Sequence, residues 1–209
     1  ELSLHPDFRN RIAQHLTEFL VPVPALESMT SFTEDAKRAR MLPRTLAGEK
    51  VKSYGEWLVA NTLWKMGVRY KYEKPFKGRF LADRHLPDFS IDETKIYIEY
   101  FGIDGEGNTA PYIPRDGYLE TMEWKRGVHQ RNATVLLELT YQDILDGTLQ
   151  EKLVSALKDF DLVQTPRSPE EIYDQAKNQN YVSRATRVLA GFHNHFRSKR
   201  INFDELRKL

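Results

Sequence analysis

The chain of 209 residues is long enough for one domain with helical flanks, and 40% apolar with 11% aromatic content argues against disorder. It has no cysteine, which excludes disulfides, thiolate zinc sites and cysteine nucleophiles and suits the reducing cytoplasm, where we expect the protein to be located. The 31 basic and 30 acidic side chains leave no net charge that indicates nucleic-acid binding, and no apolar segment has the ~20 residues of a membrane span.

Basic side chains are concentrated in two stretches. Each can form a phosphate-facing surface or an ordinary solvated face, and the sequence leaves both interpretations open. The first stretch contains Lys65, Arg69, Lys71, Lys74, Lys77 and Arg79 among Tyr70, Tyr72 and Phe76, and the second contains Arg184, Arg187, Arg197, Lys199 and Arg200.

The chain also begins without methionine and ends abruptly, so we expect it to be a piece of a longer protein.

Residues 1–50 have a helical and polar pattern. Apolar residues recur at helical spacing up to Leu20, and Pro22 with Pro24 ends that run. A second short helix is predicted for Thr33–Leu42, before Pro43. We expect this flank to belong structurally to a parent protein.

The pattern changes at Ser53. The segment SYGEWLVANTLWKMG predicts a mostly apolar helix that Gly67 closes. Three strands are predicted next, and the tight connection Asp92–Thr94 indicates that the second and third form a hairpin. These strands are Val68–Phe76, Leu86–Ile91 and Lys95–Phe101.

The remaining elements complete an α/β fold, in which a mixed central β-sheet is flanked by helices on both faces. We expect one compact domain at residues 51–165, with additional helical flanks at 1–50 and 166–209. The predicted elements are a loop at Gly102–Gly117, a helix at Tyr118–Arg131, a strand at Ala133–Thr140, a helix at Gln142–Leu157, a short strand at Asp161–Gln164, and helices at Pro169–Asn178 and Tyr181–Lys199.

Two acidic residues fall on the strands of the predicted hairpin. Asp88 and Glu99 can reach the same end of the sheet, where paired carboxylates form a typical oxygen site for Mg²⁺. The carbonyl of Tyr100 can add a ligand, and Glu56 on the preceding helix can bind the metal or orient a water molecule. The alternatives are that Glu99 pairs with a buried basic residue or faces solvent, and that Asp88 belongs to an ordinary turn.

A polar stripe follows on the next helix. Tyr118, Met122, Lys125 and His129 are spaced so that they share one face. The Lys125 ammonium can stabilise a phosphate under attack, while Tyr118 can contact a substrate phosphate and His129 can contact a phosphate or support the carboxylates. Alternatively, Tyr118 and Met122 pack while Lys125 and His129 extend to solvent.

These residues resemble a known family. Glu56, then Pro87-Asp88, then Glu99-Tyr100-Phe101 is similar to the PD-(D/E)XK, or restriction-endonuclease-like, nuclease superfamily. Over about residues 50–160, the segments LPDFSI, IYIEYFGI and YLETMEWKRGVH resemble the nuclease domain within some bacterial superfamily 1 (Rep/UvrD-type) DNA helicases.

The resemblance implies Mg²⁺-dependent hydrolysis of DNA phosphodiesters, with Mn²⁺ as a substitute. Asp88 and Glu99 would be metal ligands and Glu56 the helical acid, and the partners would be DNA and the helicase domains of the parent chain. Phosphate-loop and dinucleotide motifs are absent from the sequence, so we expect no nucleotide cofactor in this piece.

One position departs from the family pattern. The family's lysine stands two residues after the second acid, where this chain has Phe101. Lys125 is the candidate for a relocated lysine. If it does not reach the acids, the alternative is a catalytically inactive nuclease-like fold that serves as a DNA-binding or interdomain module.

Overall fold

The computed structural model describes residues 43–77, 85–163 and 165–181. The predicted helices before Pro22 and at Thr33–Leu42, the helix beyond Tyr181, Arg79 and the C-terminal basic stretch lie outside these residues. The described elements are α1 (Tyr54–Lys65), β1 (Tyr70–Tyr72), β2 (Phe89–Ile91), β3 (Ile96–Phe101), α2 (Arg115–Arg131), β4 (Val135–Thr140), α3 (Tyr141–Leu145), α4 (Leu149–Asp159) and α5 (Pro169–Asn178).

Helix α1 begins and ends where its sequence predicts. The Ser53 side chain accepts a hydrogen bond from the Glu56 N–H, which satisfies one of the free donors of the first turn. At the other end, Gly67 adopts a φ of 72°, a left-handed conformation that glycine tolerates best. The predicted helix over Ser53–Gly67 is therefore confirmed.

The strands form a mixed sheet in the order β1-β2-β3-β4. Both β1 and β3 pair with β2 in antiparallel orientation, which confirms the predicted hairpin, and β3 pairs with β4 in parallel. The first strand is shorter than predicted because Glu73, with a φ of 46°, leaves the extended conformation. The second begins at Phe89, so Leu86–Asp88 enter the sheet as irregular chain.

Alternation along β3 directs its side chains to opposite faces of the sheet. Glu99 and Phe101 face α2, where Lys125 lies close to both. Tyr100 faces the other way and packs against Gly55 of α1. Helices therefore cover both faces, and the predicted α/β class with a mixed sheet and flanking helices is confirmed.

Three later predictions are corrected by the structure. Helix α2 starts at Arg115, one turn before the predicted Tyr118, because Gly117 is part of the helix and not of the loop. The helix predicted for Gln142–Leu157 is two helices, α3 and α4, since Gly147 between them has a φ of 70°. Residues 161–163 of the predicted strand Asp161–Gln164 are not in a strand.

The core of the sheet-bearing part combines α1, α4 and the inner strands. Leu153 and Leu157 of α4 are fully buried, as are Leu63 of α1 and Ile98 of β3. Helix α4 packs on α1 and on β4. This packing fixes α1, and with it Glu56, relative to the sheet.

Helix α5 belongs to a second compact unit, separate from the unit that contains α1–α4 and the sheet. It has the predicted bounds, with Glu170 and Glu171 in the first turn and Lys177 in the last. This charge order complements the helix dipole. None of the described helices combines the length and apolar character that crossing a membrane requires.

Candidate active site

Glu56, Asp88, Glu99 and Lys125 come together at one end of the sheet. They come from α1, the entry to β2, β3 and α2. The negative charges of Glu99 and Glu56 act on Asp88, and the Lys125 ammonium acts on it with the opposite sign. Four residues separated by up to 69 positions in the sequence thus share one electrostatic environment.

Asp88 is oriented by the neighbouring strand. The Tyr100 N–H donates to Asp88 Oδ2 at 2.8 Å, so Tyr100 contributes a backbone donor to the site. Burial raises the pKa of Asp88 well above its ordinary value, and the nearby charges of Glu99 and Glu56 raise it further. Without a compensating cation, this carboxyl group therefore tends to retain a proton. The Tyr100 carbonyl ligand stays a prediction.

Glu99 is fully buried, with 0% of its surface exposed. The predicted alternative in which it faces solvent is therefore wrong. Burial raises its pKa, while the Lys125 ammonium and a hydrogen bond with Asp88 act in the opposite direction. Its Oε2 is 2.6 Å from Lys125 Nζ, whereas its Oε1 has no hydrogen-bond partner among the residues that the structure describes.

Lys125 reaches the acids from α2. Its side chain is 21% exposed, so the ammonium lies between the buried carboxylate and the surface. The same ammonium is 5.5 Å from the centroid of the Phe101 ring. Phe101 stands where the family that the sequence resembles has its lysine. Its apolar ring thus lies beneath the ammonium of a different lysine, Lys125, which reaches the site from α2.

Glu56 is held by two donors. The Lys52 N–H and the Tyr72 hydroxyl donate to its Oε2 at 3.0 and 2.6 Å. Burial, together with the hydrogen bond to Glu56, raises the pKa of Tyr72, so the phenol remains a donor. These contacts fix the carboxylate near Asp88, which favours the orienting role over direct metal ligation.

Tyr118 connects the start of α2 to the end of β3. Its hydroxyl oxygen accepts a hydrogen bond from the Gly102 N–H at 2.8 Å. Burial raises the pKa of Tyr118 to about 12, with smaller contributions from Asp88 and Glu99. The phenol therefore keeps its proton and lies within electrostatic reach of the acids, and its contact with a substrate phosphate stays a prediction.

His129 is 1% exposed, so the structure does not bring it to a surface that a phosphate reaches. Its Nε2 is 3.1 Å from His85 Nε2 and its Nδ1 is 2.8 Å from Thr134 Oγ1. Burial lowers the pKa of both histidines to about 4, so they are neutral at pH 7. Of the two predicted roles for His129, support of the carboxylates fits this position.

His85 was not predicted from the sequence. It is buried, and its Nε2 lies 3.8 Å from Glu99 Oε1. A lone histidine before Leu86-Pro87 carries no periodicity and no metal-ligand spacing. Its contact with α2 at the end of the sheet, which the sequence does not indicate, identifies it as a residue of the site.

The donor set fits a hard divalent cation. Asp88 and Glu99 supply buried carboxylate oxygens, and no donor in the described part of the chain contacts Glu99 Oε1. Among the residues that the structure describes, no three histidine, cysteine or acidic side chains converge closely enough to hold a metal by themselves. Of the two predicted roles for Glu56, direct binding of the metal beside Asp88 and Glu99 is therefore not supported, and a metal ion would depend on two acids, backbone oxygen and water.

The basic stretch after α1 is partly neutralised. Arg69 lies 3.2 Å from Glu93 and Lys71 lies 3.9 Å from Asp92, while Glu73 within the stretch pairs with Lys52, which precedes α1. These exposed pairs contribute little to stability, but they reduce the positive potential of the β1–β2 surface. They favour the interpretation of a solvated face in that region.

Comparison of the chain with protein-family models, with curated proteins and with solved structures finds no match.

Proposed function

We propose that this chain is a metal-dependent DNA nuclease domain of the PD-(D/E)XK kind that hydrolyses phosphodiester bonds. The observation that carries the proposal is the contact between the Lys125 ammonium and Oε2 of the buried Glu99, at 2.6 Å. Through this contact the Lys125 ammonium reaches the pair of acids, although Phe101 occupies the position where the family that the sequence resembles has its lysine.

Each residue has a distinct part in this proposal. Asp88 and Glu99 would hold Mg²⁺ or Mn²⁺, together with the Tyr100 carbonyl, and the Tyr100 N–H keeps Asp88 Oδ2 in place. A bound cation supplies Lewis-acid polarisation of the phosphodiester and lowers the pKa of water. A metal is also the partner that buried carboxylates of like charge need.

Lys125 and Glu56 complete the machinery. The Lys125 ammonium stabilises the negative charge that develops on the phosphate oxygens as water attacks phosphorus and the ester oxygen leaves. Glu56, held through its Oε2 by Lys52 and Tyr72, orients the attacking water. The Tyr118 hydroxyl, whose oxygen accepts from the Gly102 N–H, would donate to a phosphate oxygen.

We further propose that the domain acts within a longer helicase–nuclease chain. This part rests on the resemblance of residues 50–160 to the nuclease domain of superfamily 1 helicases. DNA delivered by the helicase domains would then be the substrate, and those domains would be the partners.

The test is cleavage of single-stranded, double-stranded and forked DNA by the purified chain, with Mg²⁺, with Mn²⁺ and with a chelator. We expect cleavage only with a divalent metal and none by Asp88→Ala or Glu99→Ala protein that melts as a folded domain. Equal cleavage by these variants would exclude the proposed site.

A second candidate is an inactive nuclease-like module that binds DNA or other domains. Phe101 at the usual lysine position and the absence of a three-ligand cage among the described residues favour it. The two candidates differ in Mn²⁺ binding. An inert module shows no Asp88-dependent Mn²⁺ binding by electron paramagnetic resonance, whereas the nuclease does.

A further inference from the structure

His85 occupies a buried polar position directly behind Glu99. It is only 3% exposed, and its ring contacts the rings of Phe76, Trp124 and His129. A buried imidazole is costly unless its nitrogens find partners. Packing alone therefore does not explain why a polar ring occupies this position.

The hydrogen bonds around His129 define the direction of the protons. The Thr134 hydroxyl donates its single proton to the His129 carbonyl at 3.1 Å. In the tautomer that matches this bond, Thr134 Oγ1 accepts from His129 Nδ1–H, which leaves His129 Nε2 as an acceptor. In the same tautomer His85 donates its Nε2–H to His129 at 3.1 Å.

The same nitrogen of His85 faces Glu99. Its distance to Glu99 Oε1, 3.8 Å, is too long for a hydrogen bond, but at this distance a dipole still acts on a charge when both groups are buried. Glu99 Oε2 is already held by Lys125. The single Nε2–H is directed to His129, so Glu99 Oε1 is its weaker, second acceptor; among the described residues this oxygen has no hydrogen-bond partner.

We propose that His85 is a positioning residue for Glu99. Its Nε2–H biases the carboxylate so that Oε1 keeps one direction, and His129 with Thr134 fixes the orientation of the imidazole. The proposal rests on the proposed function, because a fixed Oε1 is useful when it binds a cation. It extends that function by adding a supporting residue that touches neither substrate nor metal.

The experiment compares four variants by Mn²⁺ titration, followed by electron paramagnetic resonance, and by steady-state cleavage. His85→Leu removes the N–H and keeps an apolar filling, whereas His85→Gln keeps an N–H at a comparable reach. His85→Asn keeps the amide but is too short to reach the Nε2 position. Phe76→Leu is the matched control, since Phe76 packs on both imidazoles and has no polar side-chain atom.

We expect His85→Leu and His85→Asn to weaken Mn²⁺ binding by about 10–100-fold, the range typical of residues that support metal ligands. Their kcat should fall while the KM for DNA stays the same, because His85 does not contact the substrate. His85→Gln should recover most of the binding, and Phe76→Leu should lose stability but bind Mn²⁺ nearly as the unmodified protein does. Thermal melting in chelator identifies any variant that is not folded.

Several results would overturn the proposal. One is an Mn²⁺ affinity of His85→Leu equal to that of the unmodified protein, measured when the unmodified protein binds Mn²⁺ and cleaves DNA. This result would leave the nuclease assignment intact. Another is a loss in Phe76→Leu as large as in His85→Leu. If His85→Leu does not fold, equal affinity of His85→Gln and His85→Asn decides against it. If the unmodified protein neither binds Mn²⁺ nor cleaves DNA, the nuclease proposal fails and this one fails with it.

Discussion

Glu99 and Glu138 are register partners on the parallel strands β3 and β4, and α2 supplies a different cation to each. Lys125 contacts Glu99, whereas the next residue, Arg126, forms two hydrogen bonds with Glu138 at 2.8 and 2.6 Å. Glu99 is fully buried beside Asp88, while the Glu138 side chain is 29% exposed. Two adjacent residues of α2 thus each pair with a glutamate of the sheet, and of these glutamates only Glu99 lies beside Asp88.

Lys125→Met should reduce cleavage by about 10²–10³-fold, the loss typical when one group that stabilises transition-state charge is removed. The domain should stay folded, because methionine retains most of the stem that covers Phe101. The measurement is single-turnover cleavage of a labelled DNA at saturating Mg²⁺.

Arg126→Met is the matched control for that loss. It removes a cation from the next position of α2 and breaks a partly exposed pair, so we expect at most about 1 kcal/mol of lost stability and near-normal cleavage. Comparable losses in both variants would mean that Lys125 acts by holding α2 on the sheet and not on the reacting phosphate.

The relation between Lys125 and Glu99 was accessible from sequence because two periodicities determine it. The hairpin around Asp92–Thr94 brings Asp88 beside Tyr100, and the helical spacing from Tyr118 to Lys125 sets which face of α2 meets the sheet. The choice of Lys125 as candidate for a relocated lysine rested on the family resemblance, and it stays a prediction. The contact distance did not follow from the spacing, since it depends on how closely α2 packs on β3.

His85 and the break between α3 and α4 were missed for different reasons. His85 lies in an irregular segment and gains its meaning only from α2, so no local pattern indicates it. The break at Gly147 left a local signal, because an interior glycine weakens a helix. That signal was outweighed by the apolar spacing that continues through Leu149, Leu153 and Leu157.

Asp88→Asn should stabilise the metal-free protein at neutral pH by roughly 1–3 kcal/mol. The pKa of Asp88 is raised in the folded state, so its contribution to stability is present below its ordinary value of 3.8 and is lost as pH rises through the folded value. At pH 7 the buried carboxyl is therefore unfavourable. The amide removes the charge, and its oxygen can still accept from the Tyr100 N–H.

The same variant should lose the stabilisation by Mn²⁺, which for the unmodified protein reaches about 2.7 kcal/mol at 100 times Kd. Denaturant unfolding with and without Mn²⁺ measures both effects. Glu93→Gln, on the exposed hairpin turn at the opposite end of β3, should change neither. A metal-free Asp88→Asn protein that is less stable than the unmodified one would contradict the assignment of unfavourable burial.

The buried His129 should make the protein less stable on acidification between about pH 6.5 and 4. Burial lowers its folded pKa from 6.5 to about 4, so the unfolded chain takes up the proton first. Its contribution is therefore present above pH 6.5 and is lost as pH falls towards 4. The charges that act on the ring are those of Lys125, which lowers the pKa, and Glu138, which raises it.

The measurement is the free energy of unfolding in chelator at pH 7, 6 and 5, compared between unmodified protein and His129→Gln. Asp88 and Glu99 contribute to this window with the opposite sign, so only the difference between the two proteins isolates His129. We expect the unmodified protein to lose up to about 1.4 kcal/mol more per pH unit. Parallel pH profiles would show that His129 does not titrate in this way.

Gly55→Ala should destabilise the protein by about 1–3 kcal/mol and reduce cleavage, because a Cβ at this position would lie 2.1–2.5 Å from atoms of the Tyr100 ring. Tyr100 cannot yield without effect on the site, since its N–H holds Asp88 and it adjoins Glu99. Gly117→Ala in α2 is the control: no atom of the described residues lies within 4 Å of its Cβ position, so alanine should stabilise that helix by about 0.5–1 kcal/mol. Adding Tyr100→Leu to Gly55→Ala should relieve the overlap and recover part of the stability. If Gly55→Ala melts and cleaves like the unmodified protein, the close approach of α1 to β3 does not position Asp88 as we infer.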